Sequence, residues 1–194
     1  KIEELNLNFP GSDCKGFVVD ITNEELIEKN CSEILNIYGK IDGLINNAAN
    51  NPKIEDNDLI NFSRLENFNI NTWNSDLNIG FLGSFLCVKH YGFAISKNKN
   101  GGSIINVSSD LGVIAPNQNL YKKEGVHEDL QSVKPVTYSI IKHGLNGLTK
   151  YIATYWADKN VRCNSICPGG VFNHQPTDFL DKVFSLQENL DILI

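Results

Sequence analysis

The sequence predicts an α/β fold, a doubly wound parallel sheet covered by helices, and two observations support that prediction. Short apolar runs of strand length alternate with longer segments of helical periodicity along the 194 residues, as βαβ units around a parallel sheet require. Several of the apolar runs also end in polar side chains, and open α/β sheets bind their ligands at the carboxyl ends of the strands. We therefore expect a three-layer α/β/α domain with a binding site at one edge of its sheet.

The first predicted elements are a strand, a helix and a second strand. Residues 16–22 predict a strand that ends at Asp20, and Thr22 and Asn23 are typical caps for the helical pattern that follows. Residues 41–49 predict the next buried strand, in which apolar side chains change abruptly to amides. This change places polar groups at the carboxyl end of the strand.

A long helix is the next clear element. Residues 50–71 are rich in Asn and Asp and predict a loop with a short helix, whereas residues 73–96 predict a long, strongly apolar helix. Gly80 and Gly83 lie inside that helix, where a glycine costs about 1 kcal/mol relative to alanine. Their presence indicates close packing against a neighbouring element.

The second half of the chain continues the alternation. Residues 101–109 predict a strand, residues 138–159 a helix and residues 161–170 a further strand, stopped by a proline and two glycines. Residues 110–135 show no convincing periodicity, and such a length fits either an active-site cover or a disordered loop. Short helical pieces complete the chain, and residues 1–194 are predicted to form a single domain.

Composition narrows the range of functions. The net charge of -6 and the absence of a Lys/Arg cluster argue against binding to nucleic acid or to an anionic membrane surface. No apolar run reaches the roughly 18 residues of a membrane span, so we expect a soluble, cytoplasmic protein. The cysteines lack CxxC spacing and do not pair with histidines at zinc-ligand spacings, which predicts free thiols and no metal site. They are Cys14, Cys31, Cys87, Cys163 and Cys167.

Tyr138 and Lys142 give the first chemical signal. Side chains at i and i+4 lie along the same face of a helix, and an ammonium group beside a phenol lowers the pKa of the phenol by about 1 to 3 units. A tyrosine in that setting is able to exchange protons with a substrate. The same spacing also occurs by chance on many helices, so the pair needs support from other motifs.

Five further motifs supply that support in a fixed order. Asp20 ends a strand, NNAA occupies residues 46–49, Asn78 lies in the long helix, Ser109 ends the next strand, and PGGV at residues 168–171 follows the tyrosine and the lysine. In this order the chain resembles the classical short-chain dehydrogenase/reductase family over nearly its whole length. The resemblance implies a Rossmann-type fold and an NAD(P)-dependent oxidoreductase that interconverts a hydroxyl and a carbonyl.

The resemblance also implies a role for each catalytic residue. Tyr138 would be the general acid/base, and Ser109 would donate a hydrogen bond to the same substrate oxygen. Lys142 would hold the nicotinamide ribose and lower the pKa of Tyr138, and Asn78 would hold a water that links Lys142 to solvent. Ser109 is preferred to Ser108 because successive strand residues face opposite sides and because it matches the family pattern, although a strand-end cap also explains it.

A cofactor site for NAD or NADP is implied along the strand ends. Asp20 and Ile21 would contact the adenine, although an acid near a helix N-terminus is also favoured by the helix dipole. Asn46 is interpreted as a tie between neighbouring strands. The other cofactor contacts implied by the resemblance are Asn47, Ala48, Ala49, Val107, Tyr138, Lys142, Pro168, Gly169 and Val171.

Parts of the family pattern do not occur in this sequence. The glycine-rich turn that lets a pyrophosphate approach a helix N-terminus and the residue that selects NAD or NADP are absent. We therefore expect the first β-α-β segment to precede Lys1, in a protein of roughly 240 to 260 residues. The last strand of the family also has no counterpart, and Ala49 and Asn173 replace a glycine and a threonine that are usual beside the cofactor.

An insertion lies between the two catalytic hydroxyls, because Tyr138 follows Ser109 by 29 positions. We expect it to build one wall of a cleft that holds both residues. Lys122, Lys123 and His127 would either meet an anionic or sugar substrate or face the solvent. The region is similar to a branch of the family associated with bacterial surface-polysaccharide and flagellin-glycan sugars, which implies a sugar or sugar nucleotide substrate.

Two other functional classes stay open, and an oligomer is expected. A non-catalytic relative that binds a nucleotide or serves as a scaffold fits the absent phosphate turn, and the extended epimerases and dehydratases share YxxxK. The intact Ser109, Tyr138 and Lys142 and the PG turn favour the classical enzymes. Apolar side chains on two long helices imply, by the same resemblance, a homodimer or homotetramer. They are Phe81, Leu82, Phe85, Tyr151, Ile152, Tyr155 and Trp156.

Overall fold

The computed structural model describes residues 2–50, 63–170, 174 and 177–188, and this part of the chain contains one parallel sheet. The strands lie in the order β1 (Gly43–Asn46), β2 (Gly102–Val107) and β3 (Val161–Ile166). Asn46 pairs with Asn106 and Val107 pairs with Ile166, so the carboxyl ends of all three strands lie at the same edge. The three strands predicted from residue 41 onward are confirmed.

Helices connect and cover the strands. They are α1 (Ile2–Asn8), α2 (Glu24–Tyr38), α3 (Ile70–Leu77), α4 (Gly83–Cys87), α5 (Phe93–Ile95), α6 (Val136–Tyr155) and α7 (Thr177–Glu188). Two π-helical turns, Asn78–Leu82 and Val88–Gly92, join α3, α4 and α5 into one continuous helix, named the α3–α5 helix below. The two long helices predicted from periodicity are therefore confirmed, whereas α1 was not predicted. Among the described residues, no helix has both the length and the apolar character that a membrane span needs.

The strand predicted in residues 16–22 is wrong, since the structure places no strand there. Val18 is fully exposed, and Oδ1 of Asp20 accepts hydrogen bonds from the backbone N–H and the hydroxyl of Thr22 at 2.9 and 2.8 Å, which turns the chain. A strand requires a neighbour for its backbone hydrogen bonds, and no described strand lies beside this segment. The predicted helix cap is confirmed, because the Asn23 side chain accepts from Leu26 N–H at the start of α2.

The core lies on the face of the sheet that carries α2, the α3–α5 helix and α6. Its main cluster consists of Val88, Ile95, Ile104, Ile152, Val161 and Cys163, and a smaller cluster beneath α2 consists of Ile27, Leu86 and Cys87. Full burial of an aliphatic side chain of this size contributes about 1.5 to 3 kcal/mol. All five cysteines are free, as predicted, and burial raises the pKa of the Cys87 and Cys163 thiols to about 11.

The two glycines of the long helix mark the close contacts that the sequence predicts. A methyl group at Gly80 would lie 2.9 Å from Cγ2 of Ile141 in α6, and one at Gly83 would lie 2.7 Å from Cδ1 of Ile21. Glycine at these positions lets the α3–α5 helix approach α6 on one side and the segment before α2 on the other. The α3–α5 helix, α6 and the segment before α2 are thereby packed closely together.

An apolar surface remains on the outer sides of the α3–α5 helix and α6. The exposed side chains are Phe81, Leu82, Phe85, Tyr151 and Tyr155, as the sequence predicts. Ile152 does not belong to this surface, because it is 5% exposed and packs in the main core, and Trp156 also packs against that core. The correction follows from helical spacing, since Ile152 continues the buried stripe of Ile141 and Leu145.

Candidate active site

The helix α6 is fastened to the end of β2 by buried hydrogen bonds. The Ser108 hydroxyl donates to the backbone carbonyl of Lys142 at 2.8 Å, and Nζ of Lys142 donates to the carbonyl of Val107 at 2.8 Å. Asn146 Nδ2 donates to the carbonyl of Gly112 at 2.8 Å. These three bonds, named the β2–α6 clamp, fix the start of α6 against the turn that carries Ser109.

Gly112 lets the two segments of the clamp approach each other. A methyl group there would lie 2.8 Å from both the carbonyl carbon and the oxygen of Lys142 and would collide with the Ser108 hydroxyl. Real Cβ atoms do not occupy such positions, so the turn after β2 has room only for glycine. In the sequence, this constraint is visible as a glycine three positions after Ser109.

Ser109 is 5% exposed and caps the 3₁₀ turn Asp110–Gly112. Its oxygen accepts from Leu111 N–H at 3.2 Å, and its hydroxyl donates to Oδ1 of Asp110 at 2.7 Å. The strand-end cap considered for Ser109 is therefore present in the structure. Ser108 is committed to the clamp, which leaves Ser109 as the serine whose hydroxyl is able to turn from a neighbouring side chain to a ligand.

Tyr138 lies in the first turn of α6, and two ammonium groups lie near its ring. Nζ of Lys142 is 5.6 Å from the ring centre, and Nζ of Lys134 is only 3.7 Å from it. Lys142 is 6% exposed, and burial lowers its pKa, whereas the nearby Cys167 thiol acts in the opposite direction. The Tyr–Lys pair predicted from the sequence is thus brought together, with a second lysine that the sequence analysis did not identify.

Asn46 connects β1 to β2, as predicted. Its side-chain amide donates to Oδ1 of Asn106 at 2.8 Å, and Asn106 in turn donates to Oγ1 of Thr149 in α6 at 2.8 Å. Asn46 is 7% exposed and Asn106 is fully buried. Buried polar groups require such partners, so this chain of amides fixes the strand ends relative to α6.

Asn78 lies where the α3–α5 helix changes from α to π geometry, and its side chain is exposed. Its carbonyl accepts the backbone N–H of Gly83, an i to i+5 bond, and π turns occur frequently at functional sites. Two residues earlier, the buried carboxylate of Asp76 accepts from the Thr137 hydroxyl at 2.6 Å and from Asn50 at 2.8 Å. Among the described residues no hydrogen bond joins Asn78 to Lys142, so its predicted role stays a prediction.

The predicted adenosine side of the cofactor site is open to solvent. Asn47, Ala48 and Ala49 follow β1 and are exposed. Asp20 is exposed as well, and its hydrogen bonds from the N–H and the hydroxyl of Thr22 hold the pKa of its carboxyl below the usual value. Ile21 is half-buried against Gly83.

The predicted carboxamide side lies next to the clamp. The carbonyl of Pro168 accepts Asp110 N–H at 3.0 Å, which joins the turn after β3 to the turn after β2. A methyl group at Gly169 would meet only Oδ2 of Asp110, at 3.9 Å, and one at Gly170 would meet nothing within 4 Å. Val171 and Asn173 lie outside the described residues. The open backbone beside a buried ammonium group fits the ribose and carboxamide of a nicotinamide nucleotide.

The insertion between Ser109 and Tyr138 lines a cavity with Pro116, Gln118, Val133 and Lys134, but the described lining includes neither Ser109 nor Tyr138. The Gln131 side chain is buried and bonds the N–H and carbonyl of Lys123 at 2.8 and 2.9 Å, which shapes the loop from within. Lys122, Lys123 and His127 are exposed, and His127 pairs with Asp129 at 3.3 Å. These three side chains therefore face solvent, which is one of the two interpretations that the sequence left open.

Two residues of the insertion were missed by the sequence analysis. Burial raises the pKa of Tyr121 to about 12, and the charges of Asp110 and Tyr138 act in the same direction, which places Tyr121 near both. Lys134 precedes Tyr138 by the same four positions that separate Tyr138 from Lys142, so a repeated spacing was the available signal. Among the described residues, no three His, Cys, Asp or Glu side chains are close enough to share a metal ion.

Comparisons with known proteins agree with this arrangement. A family model described as enoyl-(acyl carrier protein) reductase matches residues 1–187. The chain is 30% identical over 164 residues to post-translational flagellin modification protein A of Campylobacter coli, covering 84% of this chain and 59% of that protein. It is 26% identical over 174 residues to the short-chain dehydrogenase/reductase cdmF of Talaromyces verruculosus, covering 89% of this chain and 58% of that protein.

Solved structures show the same fold. The structure titled "ElxO with NADP Bound" superimposes with a TM-score of 0.68 at 23% identity, covering 97% of this chain and 63% of that one. The crystal structure of gox2181 gives a TM-score of 0.69 at 20% identity, covering 86% and 55% of the two chains. These similarities confirm the predicted fold class, a Rossmann-type parallel sheet with helices.

The chain belongs to the short-chain dehydrogenase/reductase family. It spans between one half and three fifths of the length of the curated relatives described above.

Proposed function

We propose that the protein containing this chain is an NAD(P)-dependent oxidoreductase that interconverts a hydroxyl and a carbonyl. The observation that carries the proposal is the β2–α6 clamp, which holds Ser109 beside the helix turn that presents Tyr138 and Lys142. Ser108 and the Val107 carbonyl position these groups without competing for substrate. A nucleophilic or metal-dependent hydrolysis would need a different set of side chains.

In this proposal each described side chain has one task. Tyr138 gives a proton to the substrate oxygen in reduction and removes it in oxidation. Ser109 releases Asp110 and donates its hydroxyl hydrogen to the same oxygen. Lys142, whose ammonium group lies 5.6 Å from the centre of the Tyr138 ring, binds the nicotinamide ribose, and Asn78 at the π turn holds a water that leads protons toward Lys142.

The cofactor would lie along the carboxyl edge of the sheet. When bound, NAD or NADP supplies or accepts the hydride. Lys142, Pro168 and Gly169 would hold the nicotinamide ribose and carboxamide, and the residues after β1 together with Asp20, Ile21 and Val107 would hold the rest. The relative that takes part in flagellin modification supports a sugar or sugar nucleotide as substrate.

The assembly and the compartment belong to the same proposal. The exposed apolar surface of Phe81, Leu82, Phe85, Tyr151 and Tyr155 suits a contact between two copies, so we propose a homodimer or homotetramer in the cytoplasm. Light scattering on the whole protein tests this, and a monomeric mass would contradict it.

The activity is tested by replacing the proton donor alone. Tyr138→Phe should reduce turnover by about 10² to 10⁴, because the ring remains and the proton is lost, while the dissociation constant of NADPH changes little. Tyr38→Phe, at an exposed tyrosine of α2 outside both the candidate site and the apolar surface, is the matched control and should keep full activity. Stopped-flow absorbance of NADPH with a panel of keto sugars and simple ketones measures both variants. Unchanged turnover in Tyr138→Phe would refute the proposal, and cofactor binding without any turnover in the wild type would favour the scaffold.

A further inference from the structure

A cavity of about 340 Å³ lies beside the first turn of α6, between the insertion and the segment before α3. Lys134 lines it together with Arg64, Gln118 and Ser139. Because Nζ of Lys134 also lies 3.7 Å from the centre of the Tyr138 ring, this cavity adjoins the residue that would exchange the proton. A group bound to Lys134 in this cavity would lie close to the Tyr138 ring, although Tyr138 itself does not line the cavity.

Lys134 is a partly buried cation with no carboxylate in direct contact. Among the described residues no Asp or Glu oxygen lies within 4.0 Å of its ammonium group, although Asp110 is near enough to act on its charge. Taking a cation out of water without a partner costs free energy. The face of the Tyr138 ring is a partial partner for this cation, and a negatively charged ligand would supply the full opposite charge.

The polar part of the lining is consistent with an anion, and apolar residues complete it, namely Leu65, Pro116, Val133 and Val136. Arg64 contributes a second positive charge, which is shared with the neighbouring Glu66 carboxylate and with the carbonyl of Glu128 at 3.0 Å. The Ser139 hydroxyl is buried and has no hydrogen-bond partner among the described residues. The described lining therefore has a net positive charge, since it contains two cations and one carboxylate. It also has a spare hydrogen-bond donor in the unpartnered Ser139 hydroxyl.

We propose that Lys134, with Arg64 and Ser139, forms a subsite for an anionic group of the substrate, a carboxylate or a phosphate, next to Tyr138. This inference rests on the proposed oxidoreductase function and names the class of substrate: a hydroxyl or ketone compound that carries a negative charge a short distance from the reacting carbon. Lysine acts here as a point charge, which suits either kind of anion.

The subsite is tested by calorimetric titration of the whole protein, saturated with NADP⁺, with sulfate and with malonate. Lys134→Gln should weaken binding of the preferred probe by about tenfold or more, as expected for the loss of a charged hydrogen bond. Lys134→Arg should keep it within about threefold, because the charge remains. Lys150→Gln, an exposed lysine of α6, is the control and should change nothing. Preference for sulfate assigns a phosphate group, and preference for malonate assigns a carboxylate.

The pH dependence gives an independent measurement that does not require the glutamine variant to fold. Burial lowers the pKa of Lys134 to about 8, Asp110 opposes that shift and Lys142 adds to it; Arg64, Glu66 and Tyr138 are the other titratable or charged groups around it. The lysine must be protonated to bind, so affinity for sulfate should be constant below about pH 8 and fall above it. In Lys134→Arg the affinity should stay constant over that range, since arginine keeps its charge.

The outcomes separate the subsite from the activity. If the wild type binds neither probe, or if Lys134→Gln binds as well as the wild type, the subsite is wrong even when the enzyme turns over. If anions bind through Lys134 but Tyr138→Phe retains full turnover, the subsite stands and the proposed catalytic role is wrong. A decline in sulfate affinity with pH that is the same in Lys134→Arg would also overturn the assignment to Lys134.

Discussion

The candidate site has two sides, one formed by α6 with the end of β2 and the other by the residues that follow β1, and the two sides differ in burial. On the α6 side, Ser108, Asn106 and Lys142 are 6% exposed or less and take part in a network of buried hydrogen bonds. On the β1 side, Asn47 and the two alanines after it are exposed. The difference shows that Lys142 and the residues around it are held by buried contacts, whereas the residues assigned to the adenosine of the cofactor form an exposed surface that the ligand would cover.

The adjacent serines give the largest expected effect, and they separate position from chemistry. Ser109→Ala should lower kcat by about 10² to 10³, the usual cost of one donor to a reacting oxygen, and should change stability less than Ser108→Ala does, because Asp110 still accepts the Leu111 N–H at 2.7 Å. Ser108→Ala should instead lower the free energy of unfolding by about 1 to 3 kcal/mol, because the buried Lys142 carbonyl loses its donor. Stopped-flow kinetics and urea denaturation on both variants measure the two effects. The reverse pattern would mean that Ser108 is the reacting hydroxyl.

The amide chain between β1 and α6 comes next in magnitude. Asn106→Ala should lower the free energy of unfolding by about 3 kcal/mol, because it removes a buried side chain and leaves the Asn46 amide and the Thr149 hydroxyl with one partner fewer. Asn164→Ala, an exposed asparagine of β3, is the matched control and should be close to neutral. Equal stability of the two variants in urea would show that the amides do not fix the strand ends.

Two helical glycines contrast a crowded position with an open one. Gly83→Ala should destabilise the protein by about 1 to 3 kcal/mol, because the new methyl group meets Ile21. Gly147→Ala in α6 should stabilise it by about 0.5 to 1 kcal/mol, because no atom lies within 4 Å of the added carbon and alanine favours the helix. Thermal unfolding of both variants tests the prediction, and a shift in the same direction for both would contradict it.

The β1 side gives the smallest effect on the free protein. Asn47→Ala should leave the melting temperature unchanged, because the side chain is exposed. It should weaken NADP⁺ binding by up to about tenfold, the value of one ordinary hydrogen bond. Fluorescence titration of the cofactor measures this change. A large loss of stability with unchanged cofactor affinity would mean that the two sides of the site do not differ in the way described above.

Local patterns predicted the elements that define the fold. The strands β1, β2 and β3, the long α3–α5 helix and α6 follow from apolar periodicity, and the tie made by Asn46 follows from an amide at a buried strand end. The strand predicted at residues 16–22 failed because apolar spacing predicts a strand only where a neighbouring strand offers its backbone. Such a neighbour cannot be inferred from the segment itself.

The site was predictable where residue type and order carry the signal. Tyr138, Lys142 and Ser109 were predicted in this way, and they lie on adjoining segments of the structure; their catalytic roles stay predictions. Lys134 and Tyr121 were missed because their importance comes from burial and from distance to Tyr138, which depend on how the insertion folds. Ile152 was misplaced because one helical position separates the exposed face of α6 from its buried face.

The central claim is that Ser109 and Tyr138 act on a single substrate oxygen, and a double-mutant cycle on turnover tests it most directly. Single-turnover rates of Ser109→Ala, Tyr138→Phe and the double variant are compared with the wild type. Residues that act as a unit are strongly non-additive, so the double variant should be about as slow as Tyr138→Phe alone. If the two losses multiply, the hydroxyls act independently and the account is contradicted.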